Sequence, residues 1–336
     1  MGRFVARDEM YSPAWWLPGG HLQTLWGKLA RRSRSLPLRL HRWSTPDGDE
    51  LEVYSLEAHA GAPHLLLLHG LEGSIRSHYA NGLLSLFADA GWGAHFLVFR
   101  SCGESMNRAR RLYHSGDTAD VRLVLGRVIS ELPFSPLCIA GISLGGNVLL
   151  KLLGELGSGV HPNVKAAATI SVPYCLEPSA RRINRGFSRV YQRFFLRTLK
   201  TKALKKREAY PDLPDASTVR KIRTMVEFDD LITAPLHGFQ NAEDYYRRSS
   251  SAGFLQNIRV PTLLISAADD PFLPTETLRS VREAARANPA LHIEFSARGG
   301  HVGFVSGRFP WRAMYYAEHR ILKFFQSIVG SKKTAP

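Results

Sequence analysis

The sequence predicts an α/β fold in which a mostly parallel central sheet is flanked by helices and carries a helical cap or lid insertion. Short apolar segments alternate with segments of helical periodicity along most of the 336 residues, as in parallel sheets covered on both faces. The alternation stops between residue 173 and about residue 255. We therefore expect 1–173 and 256–336 to form the two parts of one core, and 174–255 to form the cap.

The individual elements follow from local patterns. A Thr45-Pro-Asp-Gly48 turn separates the first two predicted strands, and Leu65–Leu68 is a continuous apolar run of the kind buried on both faces. The predicted strands cover 38–43, 51–57, 65–68, 94–99, 136–140, 164–172, 260–266 and 291–295. The predicted helices cover 78–90, 117–131, 144–156, 275–287 and 310–327.

Composition and targeting signals exclude several classes of protein. Hydrophobic residues make up 44% and charged residues 22% of the chain, which is typical of a globular protein and not of a disordered or collagen-like one. The three cysteines (Cys102, Cys138 and Cys175) are widely spaced, which favours a reducing compartment. The charged N-terminus lacks the apolar core of a signal peptide. We expect a cytoplasmic protein without a metal or other cofactor, since no metal-binding or nucleotide-binding motif is present.

The net charge of +15 is concentrated in two segments. Residues 181–207 contain eleven Lys or Arg and no acid, and residues 10–46 contain six and no acid. On a helical projection, one side of the first segment is apolar and the other carries Arg185, Arg189, Arg193 and Arg197. Such a helix can lie on an anionic membrane, here the inner membrane face. We favour the alternative, a lid helix with its apolar face packed on the protein. No nucleic-acid-binding motif accompanies the charge.

The sequence Gly141-Ile-Ser143-Leu-Gly145 follows a predicted strand and begins a predicted helix. This context is typical of a nucleophile elbow, in which glycines permit a tight turn and the serine side chain is exposed to a base. The alternative is that Ser143 only caps the helix. In such folds the oxyanion is held by the backbone N–H that follows the serine and by one from an earlier loop, which predicts Leu144 and Leu71 as donors.

An acid and a histidine follow two later strands in the order serine, acid, histidine. We predict that His301 takes the proton of Ser143 and that Asp270 orients the imidazole. Asp269 is the alternative acid; the spacing from Asp270 to Pro274 favours Asp270. Both aspartates could instead cap the helix that begins near residue 275.

Several longer motifs carry a family resemblance that spans nearly the whole chain. They are Gly20-His-Leu-Gln-Thr24, His69-Gly-Leu-Glu-Gly73, Tyr113-His-Ser-Gly116, Gly141-Ile-Ser-Leu-Gly-Gly-Asn147, Glu227-Phe-Asp229, Asp244-Tyr-Tyr246, Asp269-Asp-Pro-Phe272 and Gly300-His-Val-Gly-Phe304. With these motifs the chain resembles the YheT-type branch of the α/β-hydrolases. The resemblance implies the α/β-hydrolase fold, hydrolysis of carboxylic esters including lipid esters, and a triad of Ser143, Asp270 and His301. One departure is Arg100-Ser101-Cys102, where members of this branch commonly have Arg-Gly-Cys.

Three functional hypotheses remain open at this point. The first is a serine esterase acting on small-molecule or lipid esters with short to medium acyl chains. The second is an acyltransferase using the same triad, and the third is a membrane- or lipid-binding protein with little turnover, with contact through 181–207. His21 either lines an acyl pocket or packs the N-terminal arm on the body, and we favour packing.

Overall fold

The computed structural model describes residues 11–330, so the charged residues 1–9 that bear on targeting lie outside the described part. Within it, eight strands form the central sheet: β1 Arg39–Ser44, β2 Glu50–Leu56, β3 His64–Leu68, β4 Gly93–Val98, β5 Leu137–Ile142, β6 Val164–Ile170, β7 Thr262–Ala267 and β8 Leu291–Ser296. A short hairpin of β9 (Val305–Ser306) and β10 (Met314–Tyr315) lies apart from this sheet.

The sheet order is β1-β2-β4-β3-β5-β6-β7-β8. The pairs β1–β2 and β2–β4 are antiparallel, and every later pair is parallel. The central strands β3, β4 and β5 are buried along their whole length, as expected for apolar strands covered on both faces. The predicted mostly parallel sheet flanked by helices is therefore confirmed.

Helices cover both faces of the sheet and fill the interval between β6 and β7. Around the sheet lie α1 Gly20–Ala30, α2 His78–Asp89, α3 Ala119–Glu131, α4 Leu144–Leu156, α11 Thr275–Ala287 and α12 Tyr316–Val329. Between β6 and β7 lie α5 Leu176–Ile183, α6 Ser188–Ala209, α7 Ala216–Lys221, α8 Met225–Phe228, α9 Ala234–Leu236 and α10 Ala242–Ser249. None of the helices in the described part of the chain is both long and apolar enough to cross a bilayer.

Two element predictions need correction. The helix predicted over 310–327 begins only at Tyr316, because the preceding residues form a single turn at Pro310–Arg312 and then the strand β10. The strand predicted over 164–172 ends at Ile170, where Ser171 adopts a φ of 54° that breaks the extended conformation.

Ser101 adopts a left-handed conformation with a φ of 60°. Glycine tolerates the left-handed region best, which explains why members of the YheT-type branch commonly have glycine at the position of Ser101. Here the serine hydroxyl compensates locally, because it donates to Asn107 Oδ1 at 2.6 Å and accepts the Asn107 N–H at 3.2 Å. The turn is thus kept despite the departure from the motif.

Candidate active site

Ser143 lies at the sharp turn between β5 and α4, with φ 51° and ψ −116°. The flanking glycines are required by close backbone contacts. A Cβ on Gly141 would lie 2.6 Å from the carbonyl oxygen of Gly145, and one on Gly145 would lie 2.5 Å from that of His69. A non-glycine residue in this region of conformational space is strained, and the surrounding backbone holds it there. The turn raises the serine side chain above the end of the sheet.

The structure brings Ser143, His301 and Asp270 together in one hydrogen-bonded chain. Ser143 Oγ lies 2.9 Å from His301 Nε2, and His301 Nδ1 lies 2.8 Å from Asp270 Oδ2. The Asp270 carboxylate is buried, and its other oxygen accepts the Phe272 N–H at 2.8 Å. Because a carboxylate only accepts, Nδ1 carries the imidazole proton and leaves Nε2 free to accept from the serine.

Asp269 has a different partner from Asp270. Its Oδ1 accepts the Gly300 N–H at 2.9 Å, and its Oδ2 has no hydrogen-bond partner among the described residues. Burial raises the pKa of Asp269, and the neighbouring Asp270 charge adds to this. Asp269 therefore holds the loop of His301 through the backbone, whereas Asp270 contacts the imidazole directly.

The two predicted oxyanion donors border the same cavity as Ser143. Leu144 is the first residue of α4, where backbone N–H groups lack partners within the helix. The Gly70 backbone lies against the serine, since a Cβ on Gly70 would be 3.3 Å from Ser143 Cβ. The N–H of Leu71, the next residue, meets no acceptor among residues 11–330. Both N–H groups are thus available to a ligand.

The N-terminal helix α1 anchors the loop that carries His301, a contact that the sequence patterns did not predict. Thr24 Oγ1 accepts the His301 N–H at 2.9 Å. Gln23 Oε1 accepts the Val305 N–H at 2.7 Å, and Gln23 Nε2 donates to the Val305 carbonyl at 3.2 Å. A Cβ on Gly303 would lie 2.4 Å from the Gln23 carbonyl oxygen, so the two backbones touch. One indirect indication of this contact is present in the sequence, since Thr24 lies in the motif 20–24 and His301 in the motif 300–304.

A cavity of about 680 Å³ opens beside Ser143. Its apolar wall comes mostly from the segment between β6 and β7: Ile183, Phe187, Val190, Tyr191, Phe194, Phe195, Leu199, Phe228, Ile232 and Leu236. A smaller polar part includes Ser115, Thr233, His237 and Asp229, and burial raises the pKa of Asp229 to about 6. A volume in this range accommodates a ligand the size of a drug or a short lipid.

The arginines in the first half of α6 are exposed, as in the favoured interpretation of a lid helix, but only part of the apolar face of this helix packs on the protein. The residues of α6 that are buried form another stripe: Ser188, Gln192, Leu196, Leu199, Ala203 and Lys206. Phe187, Val190 and Phe194 border the cavity, and each remains about half exposed. The apolar face therefore faces the cavity and its mouth instead of the core.

His21 packs, as favoured, but against α6 and not against the body. Its Nδ1 lies 3.2 Å from Tyr191 Oη, and its ring lies 4.8 Å from the Phe187 ring. Nearby, the Lys28 ammonium lies 4.0 Å from the centre of the Phe194 ring, a cation–π contact. These contacts hold α1 and α6 side by side at the mouth of the cavity.

A nucleophile elbow above a mostly parallel sheet, with a histidine and an acid on later loops, defines an α/β hydrolase. The family model described as the alpha/beta hydrolase fold matches residues 63–307, and the chain belongs to this family.

Several known proteins are similar to this chain. YheT of Escherichia coli strain K12, whose name marks it as a candidate esterase, is 40% identical over 295 residues, covering 85% of this chain and 84% of that protein. Phospholipase ABHD3 of Mus musculus is 29% identical, covering 96% of this chain and 79% of that protein. The solved structure of the Pyrococcus furiosus esterase Pf2001 covers 89% of this chain and 96% of its own with a TM-score of 0.58; at 16% identity it shows the fold alone.

Proposed function

We propose that the protein hydrolyses carboxylic esters through an acyl-enzyme on Ser143. His301 removes the proton of Ser143 as the oxygen attacks the ester carbonyl, and the Leu71 and Leu144 N–H groups hold the oxyanion. The leaving alcohol takes the proton from His301, and the acyl group stays on the serine oxygen. A water molecule, deprotonated by His301, then releases the carboxylic acid. Asp270 keeps the imidazole in the required tautomer throughout.

The observation that carries this proposal is the pair of short contacts from His301 to Ser143 (2.9 Å) and to Asp270 (2.8 Å). They join a strained, cavity-facing serine to a base and an orienting acid, and no structural role requires all three at once. The apolar wall of the cavity supports a substrate with a short to medium acyl chain. The esterase and phospholipase names of the relatives support the same class of bond, with a small-molecule or lipid ester as the substrate.

The helical segment 174–255 is, in this proposal, the cap that covers the cavity, between core parts 1–173 and 256–336.

The surface formed by α1 and α6 also supports peripheral contact with an anionic membrane, such as the cytoplasmic face of the inner membrane. Leu22 and Leu29 on α1, Val190 and Phe194 on α6, and Phe187 just before α6 are between 46% and 77% exposed. Exposed arginines of α6 flank this apolar surface. Apolar insertion combined with cationic attraction is the pattern of helices that lie on anionic bilayers.

Hydrolysis is tested with p-nitrophenyl esters from acetyl to palmitoyl, comparing the natural protein with Ser143→Ala. We expect turnover that peaks at one chain length and is lost in the variant, together with labelling of Ser143 by a fluorophosphonate. Full turnover in the variant, or labelling elsewhere, would contradict the proposal. Adding acceptor alcohols distinguishes a transferase, because transfer products would then exceed the free acid.

Membrane contact is tested by vesicle co-sedimentation with and without phosphatidylglycerol. Changing Arg189, Arg193 and Arg197 together to alanine removes three charges, each worth about 1 kcal/mol near an anionic surface, so binding should weaken about 100-fold. The matched control removes three exposed arginines from another helix, Arg279, Arg282 and Arg286 on α11. Equal weakening in both triple variants, or binding indifferent to salt, would exclude α6 as the contact surface.

A further inference from the structure

Lys202 reaches from α6 to the turn that contains Leu71. Its Nζ donates to Glu72 Oε1 at 2.6 Å and contacts Cys102 Sγ at 3.2 Å. Only 15% of the Lys202 side chain and 5% of the Glu72 side chain are exposed. Burial disfavours the charge of Lys202, but the nearby Cys102 and Glu72 outweigh it and raise the pKa of Lys202. Because each charge compensates the other away from water, loss of either one leaves a buried charge unpaired.

Glu72 adopts a left-handed conformation, with a φ of 55°. Its backbone N–H donates to Tyr113 Oη at 2.8 Å, and Tyr113 Oη–H donates to the Glu72 carboxylate at 2.8 Å. On the other side of Leu71, the Gly70 N–H donates to Tyr79 Oη at 2.9 Å. The residues before and after Leu71 are thus each tied to a tyrosine hydroxyl, that of Tyr79 and that of the buried Tyr113.

These contacts fix the direction in which the Leu71 N–H points. The Leu71 N–H shares its peptide plane with the Gly70 carbonyl, which accepts the Gly73 N–H at 3.0 Å across the turn. Glu72 closes this turn in its strained conformation, and a non-glycine residue stays there only while its surroundings hold it. The Glu72 carboxylate makes one of the contacts that keep this conformation, and its charge partner, Lys202, lies on a different element, α6.

We infer that Lys202 is a positioning residue that couples α6 to the oxyanion donor Leu71. The inference rests on the proposed function, since it assigns a task to one donor of the proposed site. When α6 lies over the cavity, the Lys202–Glu72 pair holds the turn with the Leu71 N–H free for the oxyanion. When α6 moves away, Glu72 loses its counter-charge and the turn is released. Ester cleavage is therefore linked to the closed position of α6.

Lys202→Met should lower kcat for a soluble, uncharged ester about 10- to 100-fold and leave KM within about twofold. This loss is smaller than the 10²–10³-fold typical of deleting a donor outright, because the donor is displaced and not removed. Lys202→Arg, which keeps the charge, should recover most of the loss. In a Glu72→Gln background, Lys202→Met should cost little, because no buried carboxylate is then left unpaired. The matched control is Lys205→Met, which removes an exposed lysine of the same helix.

A second readout reports on the oxyanion alone. A trifluoromethyl ketone forms a tetrahedral adduct with a catalytic serine, whereas the matching methyl ketone binds mainly as the ketone. The ratio of their affinities should fall in Lys202→Met in parallel with kcat. An unchanged ratio, or a change confined to KM, would overturn the inference. If Lys202→Met does not fold, two other variants test the inference. Lys202→Arg should keep most of kcat and of the ratio of ketone affinities, whereas Glu72→Gln should lower that ratio. Absence of fluorophosphonate labelling at Ser143 in the natural protein would instead contradict the proposed function.

Discussion

Replacing Asp270 with asparagine exchanges one oxygen for an amino group and keeps the shape of the side chain. The new amide can still accept the Phe272 N–H through its oxygen, but it then presents N–H groups to His301 Nδ1, which lies 2.8 Å from the carboxylate in the natural protein. Nδ1 must become the acceptor, which moves the imidazole proton to Nε2. In that tautomer His301 Nε2 has no lone pair left to take the proton of Ser143. The equivalent substitution in a characterised serine protease lowers kcat about 10⁴-fold, or about 5 kcal/mol, and we expect a loss of that order.

The matched control is Asp269→Asn, one residue away. Its amide oxygen still accepts the Gly300 N–H, so we expect less than a tenfold loss of kcat. The assay is kcat for the best p-nitrophenyl ester, with the thermal unfolding midpoint of each variant measured beside it. Equal losses in the two variants, or a larger loss in Asp269→Asn, would refute the tautomer argument.

Three further outcomes follow from buried contacts. Thr24→Val removes the acceptor of the His301 N–H and should lower kcat about tenfold at unchanged KM, measured on a soluble ester. Arg31→Met removes the bidentate partner of the buried Glu318 carboxylate, whose pKa is raised by burial. We expect a loss of about 3–5 kcal/mol in the free energy of unfolding at pH 7. The loss should shrink as the pH is lowered, because uptake of a proton removes the unpaired charge of Glu318. Burial raises the pKa of Asp229 to about 6. As the pH rises from 4 to 7, the free energy of unfolding of the natural protein should therefore fall by about 2–3 kcal/mol relative to that of Asp229→Asn. Denaturation curves that give the same difference between the two proteins at both pH values would contradict this.

Sequence patterns predicted the parts of the molecule that depend on neighbouring residues. Continuous apolar runs identified the buried strands, because only a strand covered on both faces has no polar side. The glycines around Ser143 identified the elbow, because their spacing reflects contacts within one turn. The chain order of serine, acid and histidine then placed Asp270 and His301 on loops at the same edge of the sheet, where the structure has them.

Patterns were insufficient where a contact joins distant segments or where an apolar face has two possible neighbours. Thr24 and His301 are 277 positions apart, and no periodicity connects them. The two-residue strands β9 and β10 are too short for any alternation to be visible. The apolar face of α6 could pack on the protein or line a ligand cavity, and hydrophobicity alone does not distinguish the two.

The dependence of the His301 loop on α1 means that the unit needed for chemistry is larger than the unit recognised by the family model. A fragment trimmed to residues 63–307 would retain Ser143, Asp270 and His301. It would lack Thr24 and Gln23, and with them the hydrogen bonds that hold the loop. The hydrogen bond from His301 to Thr24 spans 277 positions, so α1 is made well before its partner loop. The site therefore forms only when α1 and the loop of His301 have both been made, and deletion of α1 should inactivate the protein while leaving Ser143, Asp270 and His301 in the chain.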